Sequence, residues 1–235
     1  MLILALESSA KAASAALCRD GALLAQTVQC SGLTHSRTLL PMAEDLIKNA
    51  GAALSEIDLF AVAHGPGSFT GVRIGVSTAK GLAWAAQKPA VGVSTLEAMA
   101  WHGLAAGERA LICPVMDARR GQVYCAAFDM AAGMPKRALA DAALPLADFL
   151  ATLPTDRRLV FVGDGVPAYG MGVREALGDR ALIAPANLRD LRADAACLLA
   201  AAKPDTWVPA AQLQPIYLRA PQAVRERERR EKEAR

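Results

Sequence analysis

A glycine-rich segment at residues 64–75 has the composition most suggestive of chemistry in this sequence. It reads HGPGSFTGVRIG, follows a predicted strand at residues 57–63, and has three glycines within residues 65–71. Glycines at a strand-to-helix junction permit a tight turn, and the backbone N–H groups at a helix start can bind an anion. The segment is neither a Walker A loop nor a dinucleotide fingerprint, because Thr70 and Gly71 stand where those motifs need other residues. A sharp turn with Ser68 or Thr70 as the helix N-cap explains the pattern equally well.

Small residues recur at every fourth position of the helix predicted after this segment. A smooth ridge of this kind lets another element approach the helix axis closely. Gly75 and Gly81 indicate close contact or bending, because glycine inside a helix costs about 1 kcal/mol relative to alanine. The ridge consists of Gly71, Gly75, Ala79 and Ala83. Its periodicity fits packing on the protein's own sheet, or packing on a partner's helix beside Leu39, Met42 and Leu46 of the preceding helix.

The elements that must position these residues are predicted twice along the chain. A strand, an acid, a turn and a second strand read LILALE-SSAK-AASAALC from Leu2 and LICPVMD-ARRG-QVYCAAF from Leu111. The first half predicts strands at residues 2–6, 12–18, 22–29, 57–63 and 91–93, with helices at 34–49, from the glycine-rich segment to 87, and at 95–104. The second half predicts strands at 111–116, 123–128, 134–140 and 159–162, with helices at 146–153, 171–177 and 188–202.

Two such β-β-β-α-β-α units indicate an α/β protein with the duplicated ribonuclease-H-like fold of the actin-like ATPase superfamily. The second unit is the more degenerate copy. We expect lobes at residues 1–105 and 106–218, followed by a charged tail at residues 219–235 that is flexible or a frayed helix.

The net charge of the chain is concentrated in that tail. Residues 1–218 hold 19 basic and 19 acidic side chains, whereas residues 219–235 hold seven and four, which account for the whole net charge of +3. The balanced body argues against a protein that binds nucleic acid across its whole surface. The tail alternates in sign and is typical of a solvated segment, or of one that lies near nucleic-acid phosphates in an assembly.

Cysteine usage and hydropathy indicate a protein of the reducing cytoplasm. Five cysteines, odd in number and without a C-x-x-C pair, favour buried thiols over a disulfide framework or a zinc site. No apolar run reaches the roughly 18–20 residues of a membrane span. Residues 1–6 are apolar but lack the basic segment that begins a signal peptide.

Five segments, in the same order along the chain, resemble the TsaB family, also called YeaZ. They are residues 2–9 (LILALESS), 65–75 (GPGSFTGVRIG), 93–96 (VSTL), 117–124 (DARRGQVY) and 215–219 (PIYLR). The second and fourth of these segments are the most specific. The resemblance implies the duplicated actin-like fold and a non-catalytic subunit of bacterial tRNA threonylcarbamoyladenosine biosynthesis.

The resemblance also implies partners for the chain. The family pairs with the catalytic paralogue TsaD, which modifies the adenosine next to the anticodon of tRNA, and the ATPase TsaE joins the pair. Family members contact their partner through the helices after the hairpin and after the glycine-rich segment, which favours a partner-facing ridge. The interface residues expected on this basis are Leu39, Met42, Leu46, Gly71, Val72, Gly75, Ala79, Leu82 and Ala83. A homodimer through the same residues is expected when the partner is absent.

The histidines exclude the metal site of the catalytic paralogue. TsaD holds its metal with a His-x-x-x-His motif, whereas His35, His64 and His102 are 29 and 38 residues apart, so no two share a helix face. A metallopeptidase activity lacks its ligands for the same reason. We therefore expect no catalytic residues and no metal in the isolated chain.

The acidic residues in the turns after the two first strands are also compatible with a nucleotide-binding site. Many actin-like proteins have Asp-Thr-Ser after their first strand; this chain has ESS, whose glutamate can hold Mg²⁺ through water but reaches one methylene further. The arginines of the second turn suit an anion or an RNA phosphate better than a metal. The candidate contacts are Glu7, Ser8, Ser9, Asp117, Arg119, Gly163 and Gly165. All are also typical of ordinary turns.

Two functions follow from these alternatives. The first is the interaction subunit, with no cofactor on the isolated chain and with ATP or ADP and Mg²⁺ bound only within the complex. The second is an active actin-like ATP-dependent phosphotransferase.

Overall fold

The hairpin near the start of the chain forms because Asp20 and Gly21 adopt the left-handed conformation that a tight turn between antiparallel strands needs, with φ of 49° and 82°. The computed structural model describes residues 1–103, 110–131 and 133–219. The strands of the first half are β1 (Leu2–Glu7), β2 (Ala13–Arg19), β3 (Ala22–Gln29), β4 (Leu59–Ala63) and β5 (Ala90–Val93). They form one sheet in the order β3-β2-β1-β4-β5.

The second half builds a matching sheet. Its strands are β6 (Ala110–Asp117), β7 (Gln122–Ala131), β8 (Met134–Pro145), β9 (Arg158–Val162) and β10 (Ala181–Ile183). Their order is β10-β9-β6-β7-β8. Read from β8, this is the third, second, first, fourth and fifth strand of its half, as in the first sheet. In each sheet the first strand pairs antiparallel with the second and parallel with the fourth. The duplicated ribonuclease-H-like α/β fold is thereby confirmed.

The helices complete five layers around the two sheets. They are α1 (His35–Asn49), α2 (Phe69–Ala86), α3 (Thr95–Trp101), α4 (Leu146–Thr152), α5 (Val166–Leu177), α6 (Ala186–Arg189) and α7 (Ala193–Ala202). One core joins α1 and α2 to the first sheet, and another joins α4 and α5 to the second. The third core lies between the sheets and contains α3 and α7.

Two helices pack on the sheet of the other lobe, across the expected boundary between residues 1–105 and 106–218. Helix α3 packs on the second sheet, and α7 packs on β1, β2, β4 and β5 of the first. Val208 then pairs with Ala90 at the edge of the first sheet. Helix α7 reads ADAACLLAAA and buries six of its residues. A helix apolar around most of its circumference is stable only when covered on several sides.

Most of the predicted elements are present, with a few differences. The helix predicted at 188–202 is divided into α6 and α7, because the buried Ser14 hydroxyl accepts the N–H of Ala193 at 3.1 Å and starts a new helix there. Strand β10 is too short for a pattern to reveal it, and β8 is longer than predicted. The predicted end of α3 at residue 104 and tail residues 220–235 lie outside the described residues.

Cysteine burial is confirmed for four of the five thiols. Cys30 is exposed just after edge strand β3, so the prediction was wrong for that residue. Among the helices of the described residues, none combines the length and apolarity needed to cross a membrane.

Candidate functional site

The first strand ends in a buried acid, Glu7, whose side chain is sealed inside the protein. Its Oε1 atom accepts hydrogen bonds from the backbone N–H and the hydroxyl of Ser9 at 2.6 and 2.5 Å. Its Oε2 atom is buried without a hydrogen-bond partner. Burial raises the pKa of Glu7 to about 8, outweighing the lowering effect of the Ser9 hydrogen bonds. The group is therefore mainly a neutral acid near pH 7.

Helix α2 begins directly against this turn. The Ser68 N–H donates to the Ser9 carbonyl at 2.7 Å, and the Ser8 hydroxyl donates to the Gly71 carbonyl at 2.8 Å. A Cβ atom on Gly71 would lie 2.1 Å from the Ser8 carbonyl oxygen, and one on Gly75 would lie 2.6 Å from the Ser8 Oγ atom. The glycines of the ridge therefore let the helix contact the end of β1.

The ridge that was expected at the partner interface is buried in this chain. The ridge packs on the first lobe of the same chain. Its spacing was compatible with this packing and with packing on a partner's helix. Six expected interface residues belong to the core beneath α1 and α2, and Leu82 packs against that core partly buried. The six are Leu39, Met42, Leu46, Val72, Ala79 and Ala83. Gly75 is buried, and a Cβ on it would meet Ser8 and Val62. Gly71 is buried as well. Apolar and small side chains were expected at an interface but fill the core instead.

A second ridge lies on the opposite, exposed face of α2. Its members are Arg73, Ser77, Gly81 and Ala85, again four residues apart. No atom lies within 4 Å of the position that a Cβ on Gly81 would occupy. Both ridges follow the same four-residue spacing in the sequence. Only the position of the first sheet shows which ridge is buried and which is exposed.

The turn after β6 places the second expected acid. Arg119, Arg120 and Gly121 have φ angles of 66°, 57° and 73°. The Asp117 Oδ1 atom accepts the Arg119 N–H at 2.8 Å and the Tyr169 hydroxyl at 3.2 Å, and its Oδ2 lies 3.6 Å from the Arg119 guanidinium. The carboxylate of Asp117 is thereby held by its own turn, while the Arg119 side chain is 80% exposed.

The turn after β9 presents Asp164 rather than its flanking glycines. Cβ atoms on Gly163 and Gly165 would lie 2.2 and 2.9 Å from atoms of Val115, so both glycines serve close packing on β6. Burial raises the pKa of Asp164 to about 6, although the hydrogen bond from the Asp117 N–H lowers it. These two glycines therefore belong to the packing of the second lobe.

A cleft of 510 Å³ lies between the two lobes where these turns meet. Of the expected contacts it contains Ser9, Asp117 and Arg119; Glu7, Ser8, Gly163 and Gly165 do not line it. Cleft residues that sequence reasoning missed are Lys11, Phe69, Tyr124, Asp164 and residues 216–219. The PIYLR motif was the only signal for the last of these.

Residues 208–219, which we call the C-terminal strap, fix one wall of the cleft. The Ile216 N–H donates to the His64 carbonyl at 2.7 Å, and Gly65 is required there because its Cβ would lie 2.2 Å from the Ile216 carbonyl oxygen. The Arg73 Nε atom donates to the Tyr217 hydroxyl at 2.8 Å. The Arg219 guanidinium donates to the Ala118 carbonyl of the second lobe at 2.9 Å. The strap thus links the lobes across the cleft.

The fold class implies a nucleotide with Mg²⁺ in such a cleft, and the described residues do not fit that group. Mg²⁺ needs oxygen ligands that are free to coordinate it directly or through water. Glu7 is neutral and sealed, and Asp117 is engaged by Arg119 and Tyr169. Within the described ranges no group of three or more His, Cys, Asp or Glu residues is placed to hold a metal ion. We derive no phosphoryl-transfer step from this arrangement.

The duplicated sheets and the cleft between their matching turns define a two-lobed protein with the duplicated ribonuclease-H-like fold. A family model described as "TsaD: tRNA N6-adenosine threonylcarbamoyltransferase" matches residues 30–206. The chain is 34% identical to a tRNA threonylcarbamoyladenosine biosynthesis protein TsaB of Bacillus subtilis over 95% of this chain and 96% of that protein. It belongs to the TsaB (YeaZ) family of tRNA threonylcarbamoyladenosine biosynthesis proteins.

Further similarity supports this assignment. The Escherichia coli TsaB is 41% identical over 128 residues, which are 54% of this chain and 55% of that one. The structure of YeaZ from Pseudomonas aeruginosa superposes with a TM-score of 0.80 at 31% identity, covering 92% of this chain and 99% of that chain. The resemblance inferred from the five sequence segments is confirmed.

Proposed function

We propose that the chain is a non-catalytic interaction subunit that pairs with a TsaD-like catalytic paralogue through the outer faces of α1 and α2. A TsaE-like ATPase joins this pair in the cytoplasm, and tRNA is modified by the complex. The observation that supports the proposal is the exposed ridge of α2, with Gly81 at its centre.

Gly81 weakens the isolated chain without serving any contact within it. A glycine inside a helix costs about 1 kcal/mol relative to alanine. Here the space beside its Cα atom is open, so alanine would fit. A partner helix lying on the ridge explains the residue, because the absence of a side chain lets two helix axes approach closely.

The outer surface of α1 and α2 has the composition of a protein–protein contact. A groove of 370 Å³ between α1 and α2 is lined by Ile47, Leu54 and Leu82, with Glu44 and Lys48 beside them. Leu40 is 40% exposed on α1, and Trp84 is 69% exposed on α2. Apolar side chains surrounded by charged ones are typical of a groove that receives an amphipathic helix.

A Gly81→Arg variant is expected to lose co-purification with the paralogue while keeping its fold. The arginine side chain projects from the exposed ridge and blocks the close approach of the partner helix. Co-purification from cells that express both proteins, with the thermal melting temperature of the isolated variant, measures the two effects separately.

The matched control is Ala176→Arg, which adds the same charge at an exposed position of α5. Equal co-purification of the two variants would contradict the outer face as the partner surface. If the isolated chain forms a homodimer through this ridge, sedimentation will show a dimer for the wild type and a monomer for Gly81→Arg.

A further inference from the structure

Basic side chains from three parts of the chain meet at the cleft. Lys11 follows β1, Arg119 lies in the turn after β6, and Arg219 ends the C-terminal strap. Arg120 is exposed beside Arg119. The cluster brings basic side chains together in a chain whose first 218 residues hold equal numbers of basic and acidic ones.

Two acidic residues, Asp117 and Asp164, line the cleft together with three basic ones, so they cancel only part of this charge. Asp117 lies beside Arg119, and the Asp164 carboxylate accepts the Asp117 N–H at 3.4 Å. The remaining potential favours an anionic ligand.

The cleft also offers aromatic surface. Phe69 and Tyr217 stack with their ring centroids 4.8 Å apart, and the Arg73 guanidinium lies 3.9 Å above the Phe69 ring. The Arg73–Tyr217 hydrogen bond holds this group in place. Tyr124 lines the same cleft. Aromatic rings and arginine planes bind nucleobases by stacking, worth about 1–3 kcal/mol for each base.

Phosphate-binding cations beside stacking rings are characteristic of proteins that bind single-stranded nucleic acid. The volume of 510 Å³ suits a ligand of small-molecule size and excludes a duplex from the interior of the cleft. The cations of the cleft can contact phosphate oxygens directly, without a bridging metal ion.

We propose that the inter-lobe cleft binds an unpaired segment of the RNA substrate directly, without a metal ion. This inference rests on the proposed function, which brings a tRNA to the complex. Lys11 and Arg119 contact backbone phosphates, and the Phe69–Tyr217 pair stacks on an exposed base.

The test measures RNA binding by the complex of the full chain with its paralogue. A fluorescent unmodified tRNA transcript is titrated in EDTA at several salt concentrations with the wild type, Arg119→Glu and Arg174→Glu. Arg174 is exposed on α5 and provides the same charge change away from the cleft. Arg119→Glu should bind about tenfold more weakly. Its salt dependence should be shallower by about 0.7 in log–log slope for each phosphate that the variant no longer neutralises.

Co-purification with the paralogue is measured for each variant, so that loss of pairing is not mistaken for loss of RNA binding. Irradiation of the chain with 4-thiouridine RNA, with and without the paralogue, should crosslink peptides that contain Phe69 or Tyr217. If the wild type does not pair, the proposed function fails, and crosslinking to the chain alone still decides the RNA contact. Equal affinities and salt slopes for Arg119→Glu and Arg174→Glu would overturn the inference. Displacement of the RNA by millimolar AMP would overturn it in favour of a free nucleotide.

Discussion

Replacing Gly71 with alanine is expected to destabilise the protein strongly, whereas the same replacement at Gly81 stabilises it. Both residues lie within α2, so both changes gain about 1 kcal/mol of helix propensity. The Cβ of the first variant would lie 2.1 Å from the backbone oxygen of buried Ser8, and that of the second would meet nothing within 4 Å. Overpacking against a buried backbone costs about 3 kcal/mol or more.

Urea unfolding of the two variants and the wild type measures this difference. The midpoint should fall for Gly71→Ala and rise for Gly81→Ala, with similar slopes in urea. Because residue type and helix are the same in both changes, the difference isolates the contact with Ser8. A Gly71→Ala chain as stable as the wild type would show that the inner ridge does not touch the first strand.

Replacing Glu7 with glutamine is expected to stabilise the protein increasingly as the pH rises. The pKa of Glu7 rises from 4.5 to about 8 on burial, so between these values the folded chain holds a proton that the unfolded chain has released. The contribution of this group to stability is complete below pH 4.5 and is lost as the pH rises towards 8. The loss is on the order of 4 kcal/mol, since a tenfold change in proton affinity corresponds to about 1.4 kcal/mol.

Glutamine keeps an oxygen that can accept from Ser9 and does not ionise. Free energies of unfolding at pH 5, 7 and 8.5, taken as the difference between variant and wild type, separate Glu7 from the other groups. That separation matters because burial also raises the pKa of Asp164, while it lowers the pKa of His64 and of His102. A difference that stays constant with pH would mean that Glu7 is ionised in the folded protein.

The local signals in the sequence predicted most of the fold because they depend on neighbouring residues only. The Asp20–Gly21 turn fixes the first hairpin, and Ser68 and Ser94 cap α2 and α3 as their types predict. The repeated pattern of strand, acid, turn and strand predicted the two matching sheets. The packing of α7 on the first sheet was not predicted, because an alanine-rich apolar helix carries no signal for the sheet on which it packs.

The candidate site was only partly predictable for a related reason. Ser9 and Arg119 follow the equivalent first strands of the two sheets, and Asp117 ends the second of them, so the repeated pattern allowed these turns to be matched with each other. Lys11 carries no local pattern that predicts a site, and Tyr217 has only the PIYLR segment of the family resemblance as a signal. They reach the cleft because the turn after β1 and the C-terminal strap pass beside it.

The sequence by itself determined the family, the duplicated fold, and the fact that α2 has small residues at a four-residue spacing. The tertiary structure decided that the ridge containing Gly71 and Gly75 is buried and that the ridge containing Gly81 is exposed. An α-helix has 3.6 residues per turn whatever element lies beside it. A regular spacing of small residues therefore predicts a close contact on that face but does not identify the element that makes the contact. Ser8 touches the inner ridge, which leaves Gly81 and its neighbours as the face open to another protein.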